Sequence, residues 1–193
     1  MSVVTKEDRR VRKTKKALRE GLAELLTEKG IQNITVRELT DKADVHRSTF
    51  YANFVDIYDL YSHIEETVIS ELRDIFIGKN DLDTTQCIIL LFDYISANKQ
   101  ISRLVLGSNV GTSFVHRVSA LFKDIYIAYW CTTFNIHAPS DKLELYAHFL
   151  FSGYLGVIRE WVVNDFKPSQ DELMEIISAI DLNTEILIRR KFA

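Results

Sequence analysis

Residues 34–60 read ITVRELTDKADVHRSTFYANFVDIYDL, and the order of apolar and polar residues in this stretch decides the fold. Thr35 stands just before an apolar pattern and Glu38 follows three residues later, the spacing of a capping box in which each side chain answers the other's backbone N–H. Val36, Leu39, Thr40 and Ala43 then recur at three- and four-residue steps, which predicts a short helix over about 36–43. Asp44 breaks the pattern, and aspartate enters the left-handed turn conformation at lower cost than most residues. A second short helix is expected over about 46–52, with Phe50 and Phe54 apolar, and Asp56 is placed to cap a long helix over about 57–77. Two short helices around a tight turn make a helix-turn-helix. Leu39, Ala43, Val45 and Phe50 would pin the pair, leaving His46, Arg47, Ser48, Thr49, Tyr51 and Asn53 outside. These are hydrogen-bond donors, acceptors and one flat ring, suited to phosphates and base edges in a groove that admits one α-helix.

Upstream, Val11, Ala17, Leu18, Leu22, Leu25 and Leu26 share one face of a predicted helix over about 9–29, with Gly30 as its stop. The other residues of that helix are mostly cationic: Arg9, Arg10, Arg12, Lys13, Lys15, Lys16 and Arg19, with no acid among residues 9–19. The formal net charge of −3 hides an asymmetry, since residues 1–55 hold 12 Lys/Arg against 8 Asp/Glu and residues 56–193 hold 12 against 19. A basic head on an acidic body points the head alone towards a polyanion.

Downstream, a polar stretch from Gly78 to Asp83 reads as a loop, and helical periodicity returns over about 84–98, 100–107, 111–135, 140–164 and 170–190. The last of these opens at Ser169, after Pro168, with Glu172 completing another capping box. Only two prolines and seven glycines interrupt the chain, and no strand alternation persists. The expectation is an all-α fold of about nine helices. Residues 1–55 would form a three-helix, helix-turn-helix DNA-binding domain, and residues 56–193 a helical regulatory and dimerisation domain.

The segment Ile34–Leu60 resembles the DNA-binding domain of the TetR family of bacterial regulators (TetR/AcrR type). The features that carry the resemblance are Thr35–Val36, Ala43-x-Val45, Ser48–Thr49–Phe50–Tyr51, Phe54 and Leu60, with the basic helix ending in Leu25–Leu26 and Gly30 before them. It covers roughly residues 10–60, and GYLGVIREW over 153–161 looks like the penultimate helix of one C-terminal subgroup. The resemblance implies a homodimer on a pseudo-palindromic operator in double-stranded DNA, usually a repressor released by a small-molecule effector. Carried over by position, Arg47, Ser48, Thr49 and Tyr51 lie in the recognition helix, and Thr35 and Arg37 lie where the first short helix touches phosphates. Three positions depart from the pattern. Asp44 replaces the usual turn glycine, His46 the small hydroxyl cap, and Ile57 a phosphate-binding lysine whose contact Tyr58 would take over through its hydroxyl. Each departure lowers phosphate affinity, so an alternative stays open: an interaction protein or coactivator of the same fold with weak or no DNA binding.

In the body, Tyr126, Trp130 and His148 each join an apolar ring to a polar tip and are the candidate ligand-pocket residues. The helix over 140–164 is apolar nearly all round in its second half (Phe149, Leu150, Phe151, Tyr154, Leu155, Val157, Ile158, Trp161, Val162, Val163), and Gly153 and Gly156 permit close approach. Leu173, Ile176, Ile177, Ile180 and Leu187 read as one stripe of the last helix. A helix with two apolar sides must bury both, so these two helices are the expected dimer interface, a four-helix bundle across a two-fold axis. No catalytic constellation or cofactor motif stands out, and neither Cys87 and Cys131 nor the scattered histidines have metal-ligand spacing. The expectation is therefore a non-enzyme with no cofactor or metal. No run of 18 apolar residues and no apolar stretch behind the basic N-terminus occur, which predicts a cytoplasmic protein without a membrane segment.

Overall fold

A computed structural model describes residues 9–76, 83–107 and 112–192. Among these residues the order is α1 (Arg9–Glu28), a 3-10 turn (Ile31–Asn33), α2 (Val36–Lys42), α3 (Arg47–Tyr51), α4 (Ile57–Phe76), α5 (Thr84–Ala97), α6 (Lys99–Gly107), α7 (Thr112–Thr133), α8 (Asp141–Val163) and α9 (Gln170–Phe192). No strand occurs among them. The loop expected over Gly78–Asp83 lies outside the described residues except for Asp83, which caps α5 in a reciprocal pair with Gln86.

The chain divides into two compact units at Thr67/Val68, within α4. In the first, α1 buries Leu18, Leu22 and Leu25, and α2 buries Leu39. A side chain at Gly21 would come within 3.3 Å of Ala43 and Leu39, so glycine lets α1 and α2 approach closely. Lys42 adds an ion pair to Glu24 at 2.7 Å. Gly30 does not stop α1 through a left-handed cap. Its φ is −66°, and it opens the 3-10 turn instead.

Left-handed caps do appear elsewhere among the described residues, and none of them is glycine. Asp44, Asn135 and Asp165 have φ of 53°, 56° and 58°. In each case the next residue's N–H returns to a carbonyl in the last turn: Val45 to Thr40 at 3.0 Å, Ile136 to Cys131 at 3.0 Å, and Phe166 to Trp161 at 2.8 Å. That six-to-one bond is the Schellman motif, which satisfies carbonyls left over at the helix end.

The second unit is built around rings. Phe76, Phe122, Phe151, Tyr126 and Trp130 form a continuous chain of contacts, with centroids 4.8–5.7 Å apart. Phe92, Trp161 and Phe166 form another, at 5.1 Å. α8 buries Leu143, Ala147, Leu150, Phe151, Tyr154, Leu155, Ile158, Trp161 and Val162. Its opposite side carries exposed Leu145, Phe149, Val157 and Val163, and a Cβ at Gly153 or Gly156 would meet open space. The single stripe expected on α9 is in fact two. Leu173, Ile177 and Ile188 are buried, whereas Ile176 and Ile180 are exposed with Leu182 and Ile186 on the far side. Residues three apart share a flank but not a centre line, so a run of isoleucines wraps from the core face to the outer face.

Candidate nucleic-acid interface

Thr35 and Glu38 form the expected capping box. The Glu38 N–H donates to Thr35 Oγ1 at 3.2 Å, and Glu38 Oε2 accepts from the Thr35 N–H at 2.9 Å and from its hydroxyl at 2.8 Å. Lys29 Nζ donates to the other carboxylate oxygen at 2.6 Å. The Lys29 bond first, and then the two bonds from Thr35, hold the Glu38 carboxyl down at about 2. The Thr35 hydroxyl is thereby committed to the cap, although it is exposed. Arg37 is exposed, 3.8 Å from Asp41 across one helical turn, and its guanidinium is available to an outside anion.

The α2–α3 turn closes through Asp44, whose side chain is exposed. α3 is five residues long and buries only Phe50, at 0 % exposure. That single anchor turns the remaining residues outward: His46, Arg47 and Ser48 are exposed and Thr49 is half-buried. Tyr51 is 54 % exposed, and its ring meets Phe50 edge-on at 5.4 Å, which orients the phenol without burying it. His46 stands at the N-cap without a side-chain cap bond, so the first N–H groups of α3 are left without a capping side chain. Such N–H groups suit a phosphate. Asn53 is half-buried and donates its amide to the Thr49 carbonyl at 2.8 Å, so it serves the end of α3 rather than facing outward.

Ile57 is buried at 5 % exposure, which gives the side chain a core role in place of a phosphate contact. The neighbouring Tyr58 is 50 % exposed. Sequence reasoning found the Asp56 cap, which accepts from the Asp59 N–H at 2.8 Å, but missed the return bond from the Val55 N–H to Asp59, also 2.8 Å. An acid three residues past a capping aspartate is the signal that would have found it.

The family described as "Bacterial regulatory proteins, tetR family" matches residues 18–64, and the TetR family's "Transcriptional regulator C-terminal region" matches residues 83–180. The chain belongs to the TetR family. The matched N-terminal segment holds the helix-turn-helix, and the second match is to a region described as belonging to transcriptional regulators. An HTH-type transcriptional regulator of Bacillus subtilis (strain 168), YxbF, is 26 % identical over 155 residues, which is 78 % of this chain and 40 % of that relative's length. The chain thus spans less than half the length of this curated relative. Among solved structures, the dihydroxyacetone kinase operon activator DhaS has a TM-score of 0.66 at 18 % identity, covering 90 % of this chain and 97 % of DhaS. The fatty acid degradation regulator FadR of Bacillus halodurans also has a TM-score of 0.66, at 13 % identity over 92 % and 99 % of the two chains. NalD, the secondary repressor of the MexAB-OprM efflux pump in Pseudomonas aeruginosa, has 0.62 at 17 % identity over 90 % and 97 %. These likenesses show a shared fold.

In the TetR-family C-terminal region, the three candidate pocket residues do not converge. Tyr126 and Trp130 lie one turn apart on α7, both fully buried, with centroids 5.7 Å apart. His148 is exposed, at the edge of α8's buried face, where Ala147 and Phe151 turn inward. Asp181 takes its place in the cluster. It is 1 % exposed and accepts a hydrogen bond from the Tyr154 hydroxyl at 2.8 Å, and a longer one from Tyr126 at 3.4 Å. Burial, with Asp181 beside them, pushes both phenols up, so they stay neutral donors. The Trp130 indole nitrogen is buried with no acceptor among the described residues. Asp181 was missed because it reads as one polar residue on a mixed helix. Its place four residues after Ile177, on the buried side, was the available signal.

No helix among the described residues is long and apolar enough to cross a membrane. No described group of three His, Cys, Asp or Glu residues is placed to hold a metal ion.

Proposed function

We propose that this chain is a ligand-responsive repressor that acts as a homodimer, each subunit presenting α3 to one half of a pseudo-palindromic operator in double-stranded DNA. The observation that carries the reading is the split within α3: one buried phenylalanine holds the helix, and His46, Arg47, Ser48 and Tyr51 stand exposed beside it. Arg37 and Tyr58 add phosphate contacts at the flanks, and Thr49 adds one from its half-buried position. Thr35 takes part through the cap it builds, and Asn53 by fixing the end of α3.

The second copy is supported by the outer faces of α8 and α9. Phe149 is 79 % exposed, Leu145 67 %, Ile176 57 % and Ile186 58 %. Large apolar side chains in such numbers on two adjacent helices mark an interaction surface, and helices about 140–164 and 170–190 pairing across a two-fold axis would cover them. The effector reading rests on Tyr126 and on the buried Trp130 indole N–H, which has no acceptor among the described residues and which a ligand could satisfy.

Selection from a random double-stranded pool with the purified protein tests the reading. An enriched inverted repeat, with half-sites about 10 base pairs apart or a multiple of that, is the expected result. No enrichment at low salt would favour the same-fold interaction protein, a reading that the exposed Asp44 carboxylate supports.

A further inference from the structure

We propose that Arg9, Arg12, Lys13 and Lys16 form a second, sequence-independent contact with the DNA phosphate backbone, separate from α3. The inference rests on the DNA-binding reading above and extends it to α1. The four residues are spaced i, i+3, i+4 and i+7, so they occupy one face of α1, within an arc of about 100°. All four are exposed, and the buried Leu18, Leu22 and Leu25 lie on the opposite face. Arg9, Arg12 and Lys13 make no ion pair with any described residue. Among the described residues Lys16 pairs only with Glu20, 3.8 Å away, with the two side chains 66 % and 48 % exposed, a geometry in which solvent screens most of the attraction.

This stripe works against its own helix. The first turn of α1 carries four-residue-spaced cations and no acid. Cations there oppose the helix dipole, and like charges three and four residues apart repel. Both penalties fall when an anion lies along the stripe. The anion must also repeat. From Arg9 to Lys16 the helix rises about 10 Å, longer than the about 3.4 Å of duplex axis that one strand allots to each phosphate, so more than one phosphate can lie along the stripe. Double-stranded DNA is the favoured polyanion because α1 is fastened to the helix-turn-helix itself, through the close approach of Gly21 to Ala43 and Leu39. Contacts made this way position the protein without reading sequence.

The test is the salt dependence of binding to a selected duplex and to an unrelated one, for the wild type, Arg12→Gln/Lys13→Gln and the charge-preserving Arg12→Lys/Lys13→Arg. Each phosphate that a side chain no longer neutralises should reduce the slope of log K against log salt by about 0.9, so the glutamine variant should be shallower by about 1.8. It should lose the same factor on both duplexes, and the charge-preserving variant should match the wild type. Glutamine is as good a helix former as the residues it replaces and removes the repulsion, so helicity by circular dichroism should hold. A glutamine variant with the wild-type slope overturns this inference and leaves the role of α3 standing. A wild type that binds neither duplex in a salt-dependent way overturns the DNA-binding reading and this inference with it.

Discussion

Replacing Asp44 with glycine should make the protein more stable. Asp44 sits at the left-handed position of the cap between α2 and α3, with φ of 53°, and the bond from Val45 N–H to Thr40 O, 3.0 Å, depends on that conformation. An L-residue pays about 1–2 kcal/mol there, an aspartate somewhat less, because its short side chain can hydrogen-bond locally. Glycine has no steric cost but gives back about 0.5–1 kcal/mol through the freedom of the unfolded chain. The net gain for Asp44→Gly is therefore at most about 1 kcal/mol, or up to about 4 °C in melting temperature for a chain of this size. Asp44→Ala keeps the steric cost without the short polar side chain that makes aspartate more tolerant of this conformation, so it should fall below the wild type. The assay is thermal unfolding of the set, with the expected order Gly, Asn, Asp, Ala. Asp44→Asn should also tighten DNA binding about threefold, since a carboxylate about 7 Å from a phosphate costs about 0.6 kcal/mol in water. An alanine variant as stable as the glycine one would rule out a steric cost at this turn.

Four further outcomes are expected. Tyr51→Ala should weaken specific DNA binding by about 1–3 kcal/mol in an anisotropy titration, and an unchanged affinity would leave the exposed ring with no role in recognition. The Glu38 carboxyl, held at about 2 against an ordinary 4.5, contributes stability that is complete above about pH 4.5 and is lost as the pH falls towards 2; Glu38→Gln should lack that part of the acid-unfolding curve. Tyr154→Phe removes the 2.8 Å bond to buried Asp181 and should destabilise by about 1.5–3 kcal/mol in denaturant titrations, more than Tyr126→Phe, whose bond is 3.4 Å long. Phe149→Glu combined with Ile180→Glu should give a 22.3 kDa monomer by sedimentation with its helicity retained, whereas a dimer that survives both charges would move the interface elsewhere.

The helix-turn-helix was legible because its determinants are local. A cap three residues from its partner, a residue that tolerates positive φ, and apolar steps of three and four all fall within a short window. The Thr35–Glu38 box, the left-handed Asp44 and the single anchor Phe50 are each visible in the string 34–60. The C-terminal region yielded less, since its decisive features depend on which neighbour a residue meets. Whether Ile176 or Ile177 faces the core is fixed by packing on other helices, and periodicity alone merged them into one stripe. Asp181 is buried because phenols from α7 and α8 reach it, and neither tyrosine is near it in sequence. His148 illustrates the reverse case: a polar-tipped ring at the edge of an apolar pattern turned outward once Ala147 and Phe151 had taken the inner face.

A dimeric repressor reading two half-sites is tested most sharply by the mass of its complex on a selected inverted repeat, measured by sedimentation and compared with a duplex in which one half-site is scrambled. Two 22.3 kDa chains should sit on the full repeat, with binding greatly weakened when either half is scrambled. A single chain per duplex, bound equally well to the half-scrambled site, would contradict it.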